Sequence, residues 1–184
     1  MWGIIALLAI VAVLGIIFAG MYNRLVQLRN QVKNAWAQID VQLKRRHDLI
    51  PNLVETVKGY AGHERQTLEN VVKWRNQAVA AQGVEQQAQA ETGLSGALGR
   101  LMVVVEQYPD LKANTNFLSL QEELSSTENK IGFARQYYND ETMRFNTTVQ
   151  SFPTNIVAGM FGFKEQSFFE IEAPEQREVP QVKF

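Results

Sequence analysis

The chain has 184 residues, a mass of 20.9 kDa and a formal net charge of −1, with 46% hydrophobic residues and no cysteine. This length predicts one domain, and the missing cysteine excludes disulfides, thiolate metal sites, cysteine nucleophiles and a lipidated cysteine anchor. Because 18 basic residues face 19 acidic ones, there is no global positive field, and we expect no nucleic-acid partner.

The first predicted element is a membrane span. Residues 1–23 contain no charged side chain, and 19 of the 23 are apolar. A helix from Trp2 to Tyr22 would cover about 30 Å, the thickness of a bilayer core, with an amphipathic ring at each end. A cleaved signal peptide is the alternative, but it would have a basic start and a shorter apolar run. Gly15 and Ala19 form a small-xxx-small pair that would let anchors pack together.

The residues that follow the span set its predicted orientation. From Arg24 to Arg46 there are six basic residues and one acidic residue, Asp40, so the net charge is 6 − 1 = +5. The positive-inside rule therefore predicts an outside N-terminus and a cytoplasmic C-terminal domain. A solvated helix face without topological meaning is the alternative explanation of these charges.

Two helices are predicted next. Apolar positions from Leu25 to Leu43 recur at three- and four-residue steps, so the anchor is expected to continue as one helix. Pro51 is expected to end or bend it, with a second helix from about Asp48 to Ala81. The basic run 44–46 is expected to be a solvated helix end paired with Asp48 or Glu55, and a partner site is the alternative.

A loop and a third helix are predicted after residue 81. The Gln- and Ala-rich stretch 82–92 is interpreted as a loop, followed by a helix over 93–108. The series Gly93, Gly96 and Gly99 is interpreted as a flexible turn into that helix. It lacks the motifs of dinucleotide and phosphate loops.

The fourth pattern is the clearest. Apolar or Thr positions step by three or four residues from Phe117 to Phe152, with a cap at Thr115 or Asn116 and a stop at Pro153. The predicted fold is all-α: an N-terminal transmembrane helix that continues into a bundle of about four long, mostly antiparallel helices. The predicted segments are an anchor (1–23), a bundle domain (24–163) and an extended acidic tail (164–184).

The segment after Pro153 is rich in aromatic residues. Residues 155–163 are expected to cap the end of the bundle, with a short docking helix or a membrane-surface segment as the less favoured alternative. Apolar surface beyond the needs of one core marks interaction sites, so we expect a homo-oligomer. Its predicted contacts are Phe161, Phe163, Phe168 and Phe169. The alternative is a monomer in which these rings are internal.

Catalytic patterns are missing from the sequence. The two histidines, His47 and His63, belong to no HExxH or Glu-x-x-His motif, and Ser and Thr have no His–carboxylate partners. We therefore expect no catalytic residue, no cofactor and no metal site.

Several stretches resemble the LemA family. They are YNRLV at 22–26, AWAQIDVQLKRRHDLIPNLV at 35–54, KGYAGHE at 58–64, FPTNIVAGMFGF at 152–163 and the final VKF. The resemblance implies an N-terminal anchor, a short outside N-terminus and a helical bundle, without a settled activity. It also implies relatives linked to bacterial membrane organelles and others encoded near membrane metalloproteases.

Two functional hypotheses follow. The first is a non-enzymatic scaffold that self-associates at the bacterial inner membrane; the second is an accessory subunit of a membrane protease or other membrane enzyme. Cytoplasmic placement is favoured and a periplasmic domain is the alternative. Charged residues of the resembling blocks are expected either to fix helix register or to bind a partner: Asp40, Lys44, Arg45, Arg46, Asp48 and Glu64.

Overall fold

The computed structural model describes residues 1–170, and these form helices without a strand. A long apolar N-terminal helix is followed by a helical bundle, which confirms the all-α prediction. The helices are α1 (Trp2–Lys58), α2 (Arg65–Ala80), α3 (Gly83–Val105), α4 (Pro109–Lys112), α5 (Thr115–Gln150) and α6 (Thr154–Phe161). Of the predicted tail, residues 171–184 lie outside the described residues.

Helix α1 continues through Pro51, so the predicted end at that residue is wrong. Proline has no N–H to donate to the carbonyl four residues earlier, that of His47. Arg75 replaces the missing donor, because its Nε donates to the His47 carbonyl at 3.2 Å. The helix ends instead at Lys58, where the N–H groups of residues 60 and 61 both donate to the Val57 carbonyl.

Helix α3 begins at Gly83, so the predicted loop over 82–92 is wrong. Ala, Gln and Glu dominate this stretch, and all three have high intrinsic helix propensity. The glycine series is also helical rather than a turn. A Cβ on Gly93 would overlap the indole ring of Trp74 in α2, which shows that the two helices approach closely there. The predicted end at Tyr108 is corrected to Val105, followed by the single turn α4.

Helix α5 is one 36-residue helix, as its pattern predicts. The cap is Asn114, not Thr115 or Asn116, because the Asn114 Oδ1 accepts a hydrogen bond from the Phe117 N–H at 3.0 Å. Its predicted stripe is buried at Phe117, Ile131, Tyr138 and Phe145.

The chain divides into two compact units. Of the described residues, the first contains 1–38 and 134–167, and the second contains 39–133 and 168–170. The second unit has an aliphatic core that includes Leu53, Val57, Leu68, Leu94, Leu101 and Phe117. The first unit contains a cluster of packed aromatic side chains.

Candidate functional site

The second unit contains a buried charge cluster centred on Glu91 of α3. The Glu91 side chain is completely buried, and its carboxylate accepts three hydrogen bonds. The donors are His47 Nε2 at 2.6 Å, Gln87 Nε2 at 3.0 Å and Arg46 Nη1 at 3.1 Å. Because a carboxylate only accepts, we assign the His47 proton to Nε2.

Arg46 carries the positive charge of this cluster. It is only 3% exposed, although long basic side chains usually reach water. Its second guanidinium nitrogen donates to Ser95 Oγ at 2.8 Å and lies 3.2 Å from a carboxylate oxygen of Glu128. One side chain of α1 is therefore joined to α3 and α5 within the same unit.

The geometry of the cluster suits a role in helix register. An arginine fork needs carboxylates at fixed positions, so sliding α1 or α3 by a turn would break several charge-assisted bonds. Removing one partner from a buried ion pair costs about 3–5 kcal/mol, because a charge is left uncompensated in the interior. This cost would oppose incorrect alignment of α1 and α3, while the pair with Glu128 of α5, which is 51% exposed, would add less.

The charged residues predicted from sequence do not form one site. Arg46 is internal, so the expectation of a solvated pair with Asp48 or Glu55 is wrong for this residue. Asp40, Lys44, Arg45 and Asp48 are exposed on α1, and Arg45 lies 3.9 Å from Glu123. Glu64 is partly exposed at the start of α2.

Sequence reasoning missed His47, Gln87, Glu91, Ser95 and Glu128 as cluster members. Three of them carry a signal: Gln87, Glu91 and Ser95 follow one another at four-residue steps, which is one face of a helix. That face becomes visible only once 82–92 is recognised as helical. Glu128 carries no such signal, since it is an exposed residue of α5.

A second feature, in the first unit, is an aromatic cluster that we call the aromatic cap. It consists of Tyr22, Phe145, Phe161 and Phe163, with Arg29 above one ring. The Tyr22 ring centroid lies 4.7 Å from that of Phe161 and 5.8 Å from that of Phe163. The Phe145 and Phe163 centroids are 6.5 Å apart, and Arg29 Cζ lies 5.0 Å from the Phe163 centroid, a cation–π geometry.

The four phenylalanines predicted as oligomer contacts divide into two pairs. Phe163 and Phe169 are buried within the chain, so they are not available to another copy. Phe161 is 53% exposed and Phe168 is 42% exposed. Residues 155–163 do cap the first unit, because Val157 and Ala158 of α6 are buried.

The chain after α6 is tied to α5 within the first unit. Asn146 pairs twice with the Gln166 backbone: its Nδ2 donates to the carbonyl, and its Oδ1 accepts from the N–H, both at 2.9 Å. The Tyr138 hydroxyl donates to the Ser167 carbonyl at 2.8 Å. Burial raises the pKa of Tyr138 above its usual value of 10.0.

The anchor residues predicted from sequence lie along one exposed apolar helix. This N-terminal part of α1 is long and apolar enough to cross a bilayer, and none of its most apolar 18-residue stretch is buried by the chain. Trp2, at one end, is 87% exposed, while Tyr22, at the other, belongs to the aromatic cap. Gly15 and Ala19 lie on the open surface between them.

Within residues 1–170, no group of three or more metal-ligating side chains comes together. A solvent-open groove of about 840 Å³ lies in the second unit between the end of α1 and α2. Its apolar part includes Val54, Leu68 and Val72, and charged residues such as Lys58 and Glu69 border it. The groove is separate from Glu91, so the buried cluster does not line it.

Comparison with known proteins gives consistent matches. The LemA family model matches residues 35–184. Protein LemA of Metamycoplasma hominis is 27% identical over 165 residues, covering 89% of this chain and 75% of that protein. Magnetosome protein MamQ 2 of Paramagnetospirillum magneticum is 25% identical over 193 residues, covering 91% and 71%. Magnetosome protein MamQ of Magnetospirillum gryphiswaldense is 24% identical over 174 residues, covering 80% and 64%.

The matched region includes the whole buried cluster and part of the aromatic cap. The buried cluster around Glu91 lies entirely within residues 35–184, as do the three phenylalanines of the aromatic cap. The resemblance seen in the sequence blocks is therefore confirmed over most of the chain: this protein belongs to the LemA family.

Proposed function

We propose that this protein is a membrane-anchored scaffold that self-associates at the bacterial inner membrane. One observation carries the proposal: the apolar segment and the first helix of the bundle are a single 57-residue helix, Trp2–Lys58. At 1.5 Å per residue this helix is about 86 Å long. No loop separates the apolar segment from the part of α1 that packs in the bundle.

Side-chain contacts support α1 as a rigid element. Arg75 stabilises the helix at Pro51, and the Arg46 cluster joins it to α3 and α5. Both contacts restrict bending or sliding of α1 in the second unit. A flexible linker would suit a domain that must search for its substrate, whereas a helix held by such contacts suits a scaffold. Our proposal assigns the buried charges a structural role and no catalytic residue, cofactor or metal to the chain.

We propose that the bundle is cytoplasmic, on the basis of the +5 flank after the span. The test uses the cysteine-free background: Asn116→Cys, at an exposed position of α5, is treated with a membrane-impermeant maleimide. It should be labelled only after the inner membrane is opened, whereas a cysteine added before Trp2 should be labelled from outside. Labelling of Asn116→Cys in cells with a permeabilised outer membrane alone would place the bundle in the periplasm.

Self-association is supported by exposed rings in the second unit. Phe133 of α5 is 75% exposed and Phe168 is 42% exposed, which is unfavourable for a monomer in water. A shared membrane raises the effective concentration of copies and aligns them, so weak contacts suffice. The relatives named magnetosome proteins support a role in membrane organisation.

The mass of the full chain in nanodiscs and in mild detergent tests self-association. We expect a homo-oligomer that becomes smaller in Phe133→Ser/Phe168→Ser, with unchanged helicity. Val103→Ser is the matched control, because Val103 is a similarly exposed apolar residue (66%) on α3. A wild-type chain that is monomeric under all these conditions contradicts self-association.

The groove between α1 and α2 favours a second candidate, an accessory subunit of a membrane enzyme such as a protease. A partner segment with an apolar face and mixed charges would fit it. Here we expect a monomer that copurifies with a different membrane protein. Leu68 supports the core, so the test substitution is Val72→Asp, at an exposed position of the groove (40%). Loss of the partner in this variant, but not in Val103→Asp, would favour this candidate over the scaffold.

A further inference from the structure

Helix α6 carries an exposed apolar face that the bundle does not use. Val157 and Ala158 are buried, but Ile156 and Met160 on the opposite face are 54% and 68% exposed. They are four residues apart and so lie on one side of the helix. Phe152, four residues before Ile156, is 80% exposed. No charged residue occurs from residue 152 to residue 163.

Contacts of the aromatic cap place the end of α6 beside the end of the apolar segment. The Phe161 ring lies 6.1 Å from that of Phe18 and 4.7 Å from that of Tyr22, measured between centroids. Phe18 is within the charge-free run and lies one helical turn, about 6 Å, before Tyr22. If Tyr22 lies at the headgroup level, Phe161 therefore reaches the boundary between headgroups and acyl chains.

The first unit has the sign of net charge that an anionic bilayer surface favours. Within residues 1–38 and 134–167 there are six basic and three acidic side chains, so the unit carries 6 − 3 = +3. Arg29 lies against the Phe163 ring, and Lys164 directly follows the charge-free stretch. Apolar residues flanked by cations are typical of segments that lie in the membrane interface.

We propose that α6 is an interfacial helix: its exposed residues Ile156 and Met160, together with Phe152 just before the helix, insert into the headgroup–acyl boundary of the bilayer that holds α1. This inference rests on the proposed anchoring of residues 2–22. It adds a second membrane contact. A single transmembrane helix is free to rotate about its own axis, whereas a helix docked beside it would fix the rotation and tilt of the first unit.

The depth of single spin labels tests this proposal on the full chain. Because the protein has no cysteine, Ile156→Cys and Met160→Cys give one label each, at exposed positions. Ile10→Cys, in the apolar segment, reports on anchoring. Ala37→Cys is the matched aqueous control, since it is exposed on α1 about 22 Å beyond Tyr22. Each protein is reconstituted into phosphatidylethanolamine–phosphatidylglycerol vesicles, and collisions with oxygen and with a water-soluble nickel chelate are compared by EPR.

We expect the labels at 156 and 160 to collide with oxygen more than with nickel, at a depth of about 5–10 Å from the headgroup level. Ile10→Cys should be deeper and Ala37→Cys should be fully accessible to nickel. If position 10 is deep but 156 and 160 are accessible to nickel, the inference about α6 is wrong while anchoring holds. If 156 and 160 are shielded from both reagents, protein covers the face and the inference is again wrong. A water-exposed label at position 10 would overturn the anchoring as well.

Discussion

Replacing Arg46 by methionine tests the buried charge cluster most directly. Methionine approximates the length of the arginine stem but removes the guanidinium and its contacts with Glu91, Ser95 and Glu128. Glu91 would keep two donors, His47 and Gln87, but it would lose its buried countercharge. We expect a loss of about 3–5 kcal/mol in the free energy of unfolding, the usual cost of breaking a buried pair.

The neighbouring arginine supplies the control. Arg45 lies 3.9 Å from Glu123 with both side chains about half exposed, at 53% and 48%. Arg45→Met should therefore cost less than about 1 kcal/mol. The two substitutions are chemically identical and one residue apart, so helix propensity and net charge change equally.

Urea denaturation of the full chain in a mild detergent, followed by circular dichroism, measures both losses. With a urea dependence of about 1–3 kcal/mol per molar, Arg46→Met should lower the midpoint by about 1–5 M. Replacing both members of the pair, in Arg46→Met/Glu91→Met, should cost less than the sum of the single losses, because neither charge is then left alone. Equal midpoints for Arg45→Met and Arg46→Met would refute the assignment of Arg46 as the buried member.

Four further substitutions test packing and the ionisation of the buried Tyr138. Gly93→Ala should destabilise the fold by about 1–3 kcal/mol, because the added Cβ would overlap Trp74. Gly99→Ala has open space around the added Cβ and should stabilise the fold by up to about 1 kcal/mol. Thermal melts compare the two variants. Phe145→Ala should cost about 3–5 kcal/mol on urea denaturation, since the ring is 1% exposed; a loss below about 1 kcal/mol would contradict its burial. Burial raises the pKa of Tyr138 in the folded chain. The neutral hydroxyl therefore stabilises the fold fully below about pH 10, and this stabilisation is lost as the pH rises through the folded-state pKa. Between pH 9 and pH 11, the free energy of unfolding should fall less in Tyr138→Phe than in the wild type.

The elements that could be predicted from sequence are those with a local cause. The apolar segment and α5 both follow from the order of apolar residues alone, and the buried ring of Phe145 lies on the predicted stripe. The resemblance blocks likewise identify the family from contiguous residues. In each case the physical signal repeats within a few turns of one helix.

The elements that could not be predicted depend on residues far apart in the chain. The start of α3 has no apolar signal: residues 82–92 are good helix formers without a strong apolar period, and the burial of Glu91 among them depends on Arg46, 45 residues earlier. From the sequence alone, a glutamate is expected to lie at the surface. Only the fold shows that its charge is compensated internally, and the same applies to the burial of Arg46 itself.

The continuity of α1 through Pro51 also depends on a residue far away in the chain, and this dependence can be tested. Local rules end a helix near a proline, but here the His47 carbonyl accepts from Arg75, 28 residues later. Arg75→Met should therefore leave a carbonyl without its donor, at a cost of about 1–3 kcal/mol. In a Pro51→Ala background the alanine N–H can donate to the same carbonyl, so Arg75→Met should cost less there. Urea midpoints of the four proteins measure this coupling. If Arg75→Met costs the same with Pro51 and with Ala at that position, Arg75 does not replace the missing helical bond, and the continuity of α1 through Pro51 has another cause.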